Sequence, residues 1–235
     1  MRIFLSFVFL SILLGCAKND SKDAAPFPLI EEYYPGKIGS YIDYQVDSIF
    51  HNDALALHDT ITYKIRELLE SNFIDDESRK SIRIERYISP ADSTNWILKD
   101  IWYSITTNVR LEKIEEDVRF TKLINPIEKN ETWNGNAQNT LEEWEYNYNE
   151  IEKPFALEIL NFDKTVTVLQ RDNQADGVNY IQDQYAKEVY AEGVGMVYKY
   201  YKMLETKFGY QDSVVAVNIN SGVEYTMKAI NYGQL

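Results

Sequence analysis

Short runs in which apolar and polar residues alternate recur along most of this chain, and they constrain its fold more than any other feature. In the first run, Ile42, Tyr44 and Val46 share one face of an extended strand, while Asp43 and Gln45 share the other. Similar apolar rows follow at Ile61, Tyr63 and Ile65; Ile82, Ile84 and Ile88; Ile101, Tyr103 and Ile105; Trp144, Tyr146 and Tyr148; Val166 and Val168; Met196, Tyr198 and Tyr200; Val215, Val217 and Ile219; and Tyr225 and Met227. Alternation with one polar face is typical of antiparallel sheet.

Composition supports the same fold class. The chain contains 18 Tyr, 10 Phe and 4 Trp but only 10 Gly and 6 Pro, and aromatic residues favour strands. We therefore predict an all-β, mainly antiparallel fold: one strongly curved sheet or incomplete barrel, with at most one or two short helices. Residues 29–235 are expected to form a single domain, since no interior linker or repeat is visible.

Two segments leave their secondary structure open. Ile181, Tyr185 and Val189 have helical spacing before Gly193, although their β-branched and aromatic neighbours favour a long strand. Residues 65–73 could begin as a strand and finish as a helical turn. Between two other strands, the dipeptide at 107–108 predicts a tight turn.

The N-terminus predicts export. An apolar run from Ile3 to Leu14 follows Arg2, and it is too short for a membrane-spanning helix, which needs about 20 apolar residues. Leu13, Leu14 and Gly15 directly precede Cys16 and resemble the lipobox cut by the bacterial lipoprotein signal peptidase. That resemblance implies that residues 1–15 are a signal peptide and that Cys16 becomes a lipidated N-terminus carrying fatty acyl chains such as palmitate. The alternative is an ordinary signal peptide or uncleaved anchor that contains a cysteine.

Residues 16–28 are expected to be the lipidated cysteine and a flexible tether, because the residues after Cys16 are small, polar or proline. Cys16 is the only cysteine, so the exported domain is expected to have no disulfide and no thiolate ligand. We predict lipid anchoring in an outer membrane, on either its periplasmic or its external face.

The chain resembles Bacteroidota outer-membrane lipoproteins that combine a lipobox with a β-rich domain of unknown function. The matching segments, taken in chain order, are 34–35, 39–42, 46–48, 63–67, 133–136, 190–198 and 222–226. This resemblance implies an exported β-rich lipoprotein of the cell envelope. It implies no activity and no catalytic residues.

Net charge argues against nucleic-acid binding. The formal charge is −13, and a body this acidic repels phosphate backbones and anionic headgroups. No stripe of Lys and Arg with interleaved aromatic residues is present. The expected partners are the membrane, through the lipid anchor, and an envelope protein or a glycan; no cofactor is predicted.

The sequence contains two histidines. His51 and His58 lie between two predicted strands, together with Asp53 and Asp59. A hairpin could bring these four residues together as a metal site. Their spacing of seven is not a helical ligand spacing and would place them on opposite faces of a single strand, so a solvated hairpin loop is the favoured interpretation.

A calcium loop is a second candidate metal site. Asp172, Gln174, Asp176 and Asp183 resemble positions 1, 3, 5 and 12 of an EF-hand loop. However, Gln stands at the third position, Asp rather than Glu stands at the twelfth, and the flanks predict strands. A hairpin turn rich in Asp, Asn and Gly explains the same residues.

Clustered carboxylates could suggest hydrolysis. Glu142, Glu143 and Glu145 flank Trp144, and a second group lies at 75–77. Paired carboxyls can hydrolyse glycosidic bonds, but nothing in the sequence marks one of them as buried. A solvated strand face and an acidic loop are the favoured interpretations, and no catalytic residue is predicted.

Exposed aromatic rings could instead bind sugars. Trp133, Asn134 and Asn136 belong to a predicted turn and are the candidate glycan contacts, whereas the row from Trp144 to Tyr148 is expected in the core. The leading hypothesis is thus a non-catalytic binding or structural module of the envelope. The alternatives are an apolar-ligand or glycan-binding lipoprotein and, third, a carboxylate hydrolase.

Overall fold

The structure, a computed structural model, describes residues 27–177, 180–211 and 214–235. One α-helical turn and one 3-10 turn are described, α1 (Ile30–Tyr33) and η1 (Asp53–Leu55). Twelve strands account for most of the rest: β1 Ser40–Asn52, β2 Leu57–Ile74, β3 Lys80–Pro90, β4 Ile97–Thr106, β5 Arg110–Glu115, β6 Val118–Ile124, β7 Thr132–Asn134, β8 Glu145–Ala156, β9 Asn161–Gly177, β10 Tyr180–Ala191, β11 Gly195–Gln211 and β12 Val214–Gln234.

All twelve strands belong to one antiparallel sheet that curves into an incomplete barrel, as the alternation predicts. Its order is β6-β5-β4-β3-β2-β1-β12-β11-β10-β9-β8-β7, so the N-terminal strands β1 to β6 meet the C-terminal ones at the β1–β12 pair. Apart from that pair, neighbours in the sheet are neighbours in sequence. Short connections between them suffice because antiparallel strands can be joined by tight turns.

The edges of the sheet, β6 and β7, approach each other and nearly close it. The amide N–H of Thr121 donates to the Gly135 carbonyl at 2.9 Å, and the Trp133 indole N–H donates to the Thr121 carbonyl at 2.9 Å. From β8, the Tyr148 hydroxyl accepts from the Ile124 N–H and donates to the Ile124 carbonyl, at 2.8 and 2.6 Å. A side chain thus satisfies edge groups of β6 that a neighbouring strand would otherwise pair with.

The short helix α1 covers one end of the barrel. Its first turn is acidic, and the Glu32 carboxylate accepts from the Leu29 N–H at 2.9 Å, an interaction that suits a helix N-terminus. Ile30 and Tyr33 are buried in the core, and the Glu32 carbonyl accepts from the Gly193 N–H in the β10–β11 turn. We call this the plugged end, and the opposite end, where the β3–β4 and β5–β6 turns lie, the open end.

The structure resolves both ambiguous segments as strands. Residues 180–191 form β10, the strand that their β-branched and aromatic neighbours favour, and β2 continues to Ile74, so residues 65–73 are strand and do not finish as a helical turn. Each segment pairs with strands on both sides. The backbone hydrogen bonds to these two neighbours stabilise the strand more than the helical spacing of apolar residues would stabilise a helix. The tight turn at 107–108 is confirmed by the hydrogen bond from the Thr107 N–H to the Arg110 carbonyl.

One predicted apolar row, that of β4, lies on the outer face of the sheet, although its last member, Ile105, is 2% exposed. Ile101 is 40% exposed on the outer face, whereas Trp102 and Ser104 are buried on the inner face. On β4 the inward row is therefore the more polar of the two, because Asp100 and Trp102 contact the charged Arg86 inside the barrel. By contrast, Tyr146 and Tyr148 lie in the core, as predicted.

Candidate functional site

Charged side chains occupy inward positions on seven neighbouring or facing strands of the barrel. Each of these residues is two or four positions along its strand from an apolar or aromatic residue that also points inward. Their ion pairs identify them as Glu67 on β2, Arg86 on β3, Asp100 on β4, Lys113 and Glu115 on β5, Lys122 on β6, Glu188 on β10 and Lys199 on β11. Buried charges of this kind need paired partners.

The first part of this network is centred on Glu67. Its carboxylate accepts from Lys113 Nζ at 2.8 Å and from Arg86 Nε at 3.1 Å. The Arg86 guanidinium stacks 3.6 Å from the centre of the Trp102 ring and also contacts Asp100 at 3.3 Å. The aromatic face and two carboxylates therefore hold this arginine in a fixed position.

The second part joins two lysines and two glutamates. Lys122 Nζ lies 3.0 Å from Glu115 Oε1 and 3.0 Å from Glu188 Oε1. Lys199 Nζ lies 3.2 Å from Glu188 Oε1 and 3.7 Å from Glu115 Oε2. The Tyr190 hydroxyl donates to Glu188 Oε2 at 2.7 Å. Since Lys122 is on β6 and Glu188 on β10, this cluster links distant strands across the interior.

These partners keep the buried groups charged. Burial by itself raises the pKa of the Glu115 carboxyl, but the ammonium groups of Lys122, Lys199 and Lys113 together hold it well below its usual range. Burial likewise raises the pKa of Glu188, and Lys122 and Lys199 more than reverse that effect. For Lys122, burial lowers the ammonium pKa, but the two carboxylates raise it above its usual range.

Two adjoining cavities lie beside this network. The larger has a volume of about 490 Å³ and the smaller about 310 Å³. Their shared lining residues are Glu115, Phe120, Lys199 and Tyr201, so we treat them together as one chamber. Its other walls are mainly aromatic and apolar, with Trp102, Tyr225, Met196 and Met227 in the larger cavity and Trp144 and Tyr146 in the smaller.

The chamber reaches the surface at the open end of the barrel. Its lining there includes exposed residues on the β4 start, the β5–β6 turn and the 135–144 connection, namely Lys99, Glu116, Leu141 and Glu142. Toward the plugged end, Tyr34 projects inward and its hydroxyl donates to Ser104 Oγ at 2.9 Å. The chamber is thus lined by charged and aromatic side chains and is accessible from the open end. Pockets of about 300–1,000 Å³ are typical of small-molecule binding sites.

The predicted lipidation segment lies outside the described residues. Leu13, Leu14, Gly15 and Cys16 precede residue 27, so their assignment stays a prediction. Within the described part of the chain, no helix has the length and apolar character needed to cross a bilayer.

The candidate glycan turn does not present an open aromatic ring. Trp133 packs against Tyr146 and Tyr148, with ring centres 5.9 and 4.8 Å away. Asn136 is buried, and its side-chain amide donates to the Glu142 carbonyl. Asn134 accepts from the Asn136 N–H at 2.8 Å. The turn is present as predicted, but these side chains help to close the sheet.

The four candidate calcium ligands do not form a loop. Asp172, Gln174 and Asp176 lie within β9, and Asp183 lies opposite Gln174 on β10. The turn interpretation of residues 172–177 is therefore wrong as well, since paired strand continues to Gly177. The Asp183 carboxylate instead contacts Lys202 Nζ at 2.6 Å.

The histidines lie on the outer face, and the carboxylates at 75–77 and 142–145 form no catalytic pair with them. His51 and His58 lie opposite each other on β1 and β2, with their Nδ1 atoms 3.0 Å apart. His51 is buried, so the solvated-loop interpretation is wrong for it. Asp75 is paired with Arg79, and Glu142, Glu143 and Glu145 are exposed. Among the described residues, no three or more His, Cys, Asp or Glu side chains are grouped so that they could hold a metal ion.

Sequence reasoning missed the residues of the charged network, although a signal for them exists. Glu67 follows Tyr63 and Ile65 at the same spacing of two, and Arg86 stands between Ile84 and Ile88. A charged residue in an apolar row points toward the core. Which of these charges meet depends on strand order, which alternation does not reveal.

Comparisons with known proteins identify no family. No family model matches this sequence, and no curated protein matches it. Among solved structures, a crystal structure from Bacteroides fragilis, assigned as an exported protein with a YmcC-like fold, is similar at a TM-score of 0.45 and 10% sequence identity. The match covers 84% of this chain and 97% of that one. At this TM-score nothing known of that protein is carried over to this one.

Proposed function

We propose that this chain is a ligand-binding lipoprotein of the cell envelope that holds a small molecule inside its incomplete barrel. The supporting observation is the chamber, with cavities of about 490 and 310 Å³ bordered by charged and aromatic side chains. A purely structural module needs no such space, since protein interiors are normally close-packed. Binding inside the barrel therefore accounts for the fold better than a structural role alone.

The chemistry of the chamber favours binding over hydrolysis. Glycoside hydrolysis by two carboxyls requires one that remains protonated to act as the acid. Glu67, Glu115 and Glu188 all have their pKa held below the usual range by neighbouring cations, so all three are carboxylates at neutral pH. Their positions suit electrostatic contact with a ligand and with each other.

An uncharged fluorescent probe tests whether the chamber binds ligands. We expect N-phenyl-1-naphthylamine to bind saturably to residues 16–235 carrying Cys16→Ser, with quenching of Trp102 and Trp144, because both indoles line the chamber. Val223→Trp should weaken binding on the order of tenfold, since Val223 lines the larger cavity. The measurement is a fluorescence titration.

Val109→Trp is the matched control, because Val109 is 59% exposed in a turn at the plugged end and should leave the affinity unchanged. Absence of saturable binding by the folded Cys16→Ser protein without a tryptophan substitution would contradict the proposal. So would equal effects of the two tryptophan substitutions.

The anchor is tested separately. We expect Cys16→Ser to abolish incorporation of radiolabelled palmitate and to leave the precursor uncleaved at this position, because the thiol is the acceptor of the lipid. Two or more acyl chains make anchoring stable, so the variant should also lose lipid-dependent membrane retention. A Cys16→Ser protein that is still labelled and cleaved would show that the anchor is assigned to the wrong residue.

A further inference from the structure

Charges inside the barrel are unequally covered. The Glu188 side chain is fully buried, and those of Glu67 and Glu115 are 10% and 12% exposed. The Lys199 side chain is 20% exposed and lines both cavities. The side chains of Arg86, Lys113 and Lys122 are 7%, 8% and 4% exposed. Lys199 is therefore the most exposed of the four interior cations.

Each interior carboxylate is already compensated by more than one cation. Glu115 lies within 3.0, 3.7 and 3.9 Å of the ammonium groups of Lys122, Lys199 and Lys113. Glu67 and Glu188 each contact two cations. Four interior cations therefore share these three carboxylates, while Asp100 divides its contacts between Arg86 and the exposed Lys99.

Lys199 also has hydrogen-bonding capacity to spare. An ammonium group carries three N–H donors, and the contacts of Lys199 Nζ with Glu188 and Glu115, at 3.2 and 3.7 Å, engage two of them at most. At least one donor remains for a ligand in the chamber. A negatively charged acceptor would make the strongest bond to it.

Apolar surface continues from the chamber toward the open end. Val223 lines the larger cavity and pairs with Phe50, which is 46% exposed. Ile61 precedes the lining residue Tyr63 by two positions on the same face of β2 and is 61% exposed. A ligand with an apolar body could thus extend from the aromatic walls past these two side chains.

We infer that the ligand is an amphipathic anion, whose acidic group is held by Lys199 and whose apolar body lies against Trp102, Phe120, Tyr201 and Tyr225. The inference rests on the proposed binding function and adds the chemical class of the ligand. The acidic group can be a carboxylate or a phosphate, since both accept hydrogen bonds from an ammonium group.

Displacement of N-phenyl-1-naphthylamine at pH 8 from the same protein, residues 16–235 carrying Cys16→Ser, tests the charge requirement. The competitors are dodecanoate, dodecyl phosphate and dodecanol, which share one alkyl chain. We expect at least one of the two anions to displace the probe at a concentration about tenfold lower than dodecanol, as expected for one charge-assisted hydrogen bond. Whichever anion is the more potent identifies the acidic group.

Lys199→Met should remove this preference by about tenfold while the uncharged probe still binds, and Lys199→Arg should restore it. Lys202→Met is the matched control: Lys202 is on the same strand but on the outer face, paired with Asp183. Failure of the probe itself to bind would overturn the proposed function. A bound probe displaced best by dodecanol, or an unchanged preference in folded Lys199→Met, would overturn this inference alone.

Discussion

Replacing Lys122 by methionine is expected to lower the free energy of unfolding by about 3–5 kcal/mol, the typical cost of removing one partner from a buried ion pair. Lys122 Nζ is the cation that bridges Glu115 and Glu188 at 3.0 Å each. Methionine retains most of the apolar stem. It removes one of the two ammonium groups that lie within 4 Å of Glu188 and leaves that of Lys199. Urea denaturation followed by tryptophan fluorescence measures the change.

Lys164→Met provides the comparison, because it removes the same functional group from an exposed pair. Lys164 contacts Glu152 and Glu192 at the surface, where screening makes an ion pair weak, so its denaturation midpoint should hardly move. A midpoint for Lys122→Met as close to wild type as that of Lys164→Met would show that the buried cluster contributes no net stability.

Acid is expected to destabilise the protein strongly, by roughly 3 kcal/mol or more between pH 6 and pH 3. The pKa values of Glu67, Glu115 and Glu188 are lower in the folded state than their ordinary value. A lowered carboxyl pKa stabilises the folded state above the unfolded-state value, near 4.5. That stabilisation is lost as the pH falls from there through the folded-state pKa, because the unfolded chain binds protons first. Urea denaturation at several pH values measures this slope.

Glu188→Gln tests which groups produce the acid sensitivity. At neutral pH the variant should be less stable than wild type, since Lys122 and Lys199 lose a carboxylate partner. The difference should shrink as the pH falls toward 3, because wild-type Glu188 then approaches protonation in the unfolded state. Parallel stability curves for the two proteins across this range would contradict a titrating role for Glu188.

The same charged network explains why the alternating pattern predicts the inward face of some strands and not of others. Alternation around Tyr44 and Tyr146 places both side chains in the core because one face of an antiparallel strand must be dry. On β4 the same reasoning chooses Ile101 over Trp102 and is wrong. Hydrophobicity assigns faces only where the interior is apolar, and here part of the interior is charged.

The candidate sites fail for a related reason. Motif spacing made Asp172 and Asp183 resemble ligands of one ion, but cross-strand pairing extends their segments into β9 and β10. Trp133 resembled an exposed ring in a turn, yet closure of the sheet packs it against Tyr148. Local patterns specify turns and strands without specifying what those elements will pack against.

The sequence by itself determined the fold class, because the period-two pattern of side chains is a local property of each strand. The tertiary structure alone decided the site. Lys122 and Glu188 are 66 residues apart in the chain and meet only because the sheet curves until β6 faces β10. Curvature and strand order are set by all twelve strands together, so the chamber and the exposure of Lys199 within it could not be read from any one segment.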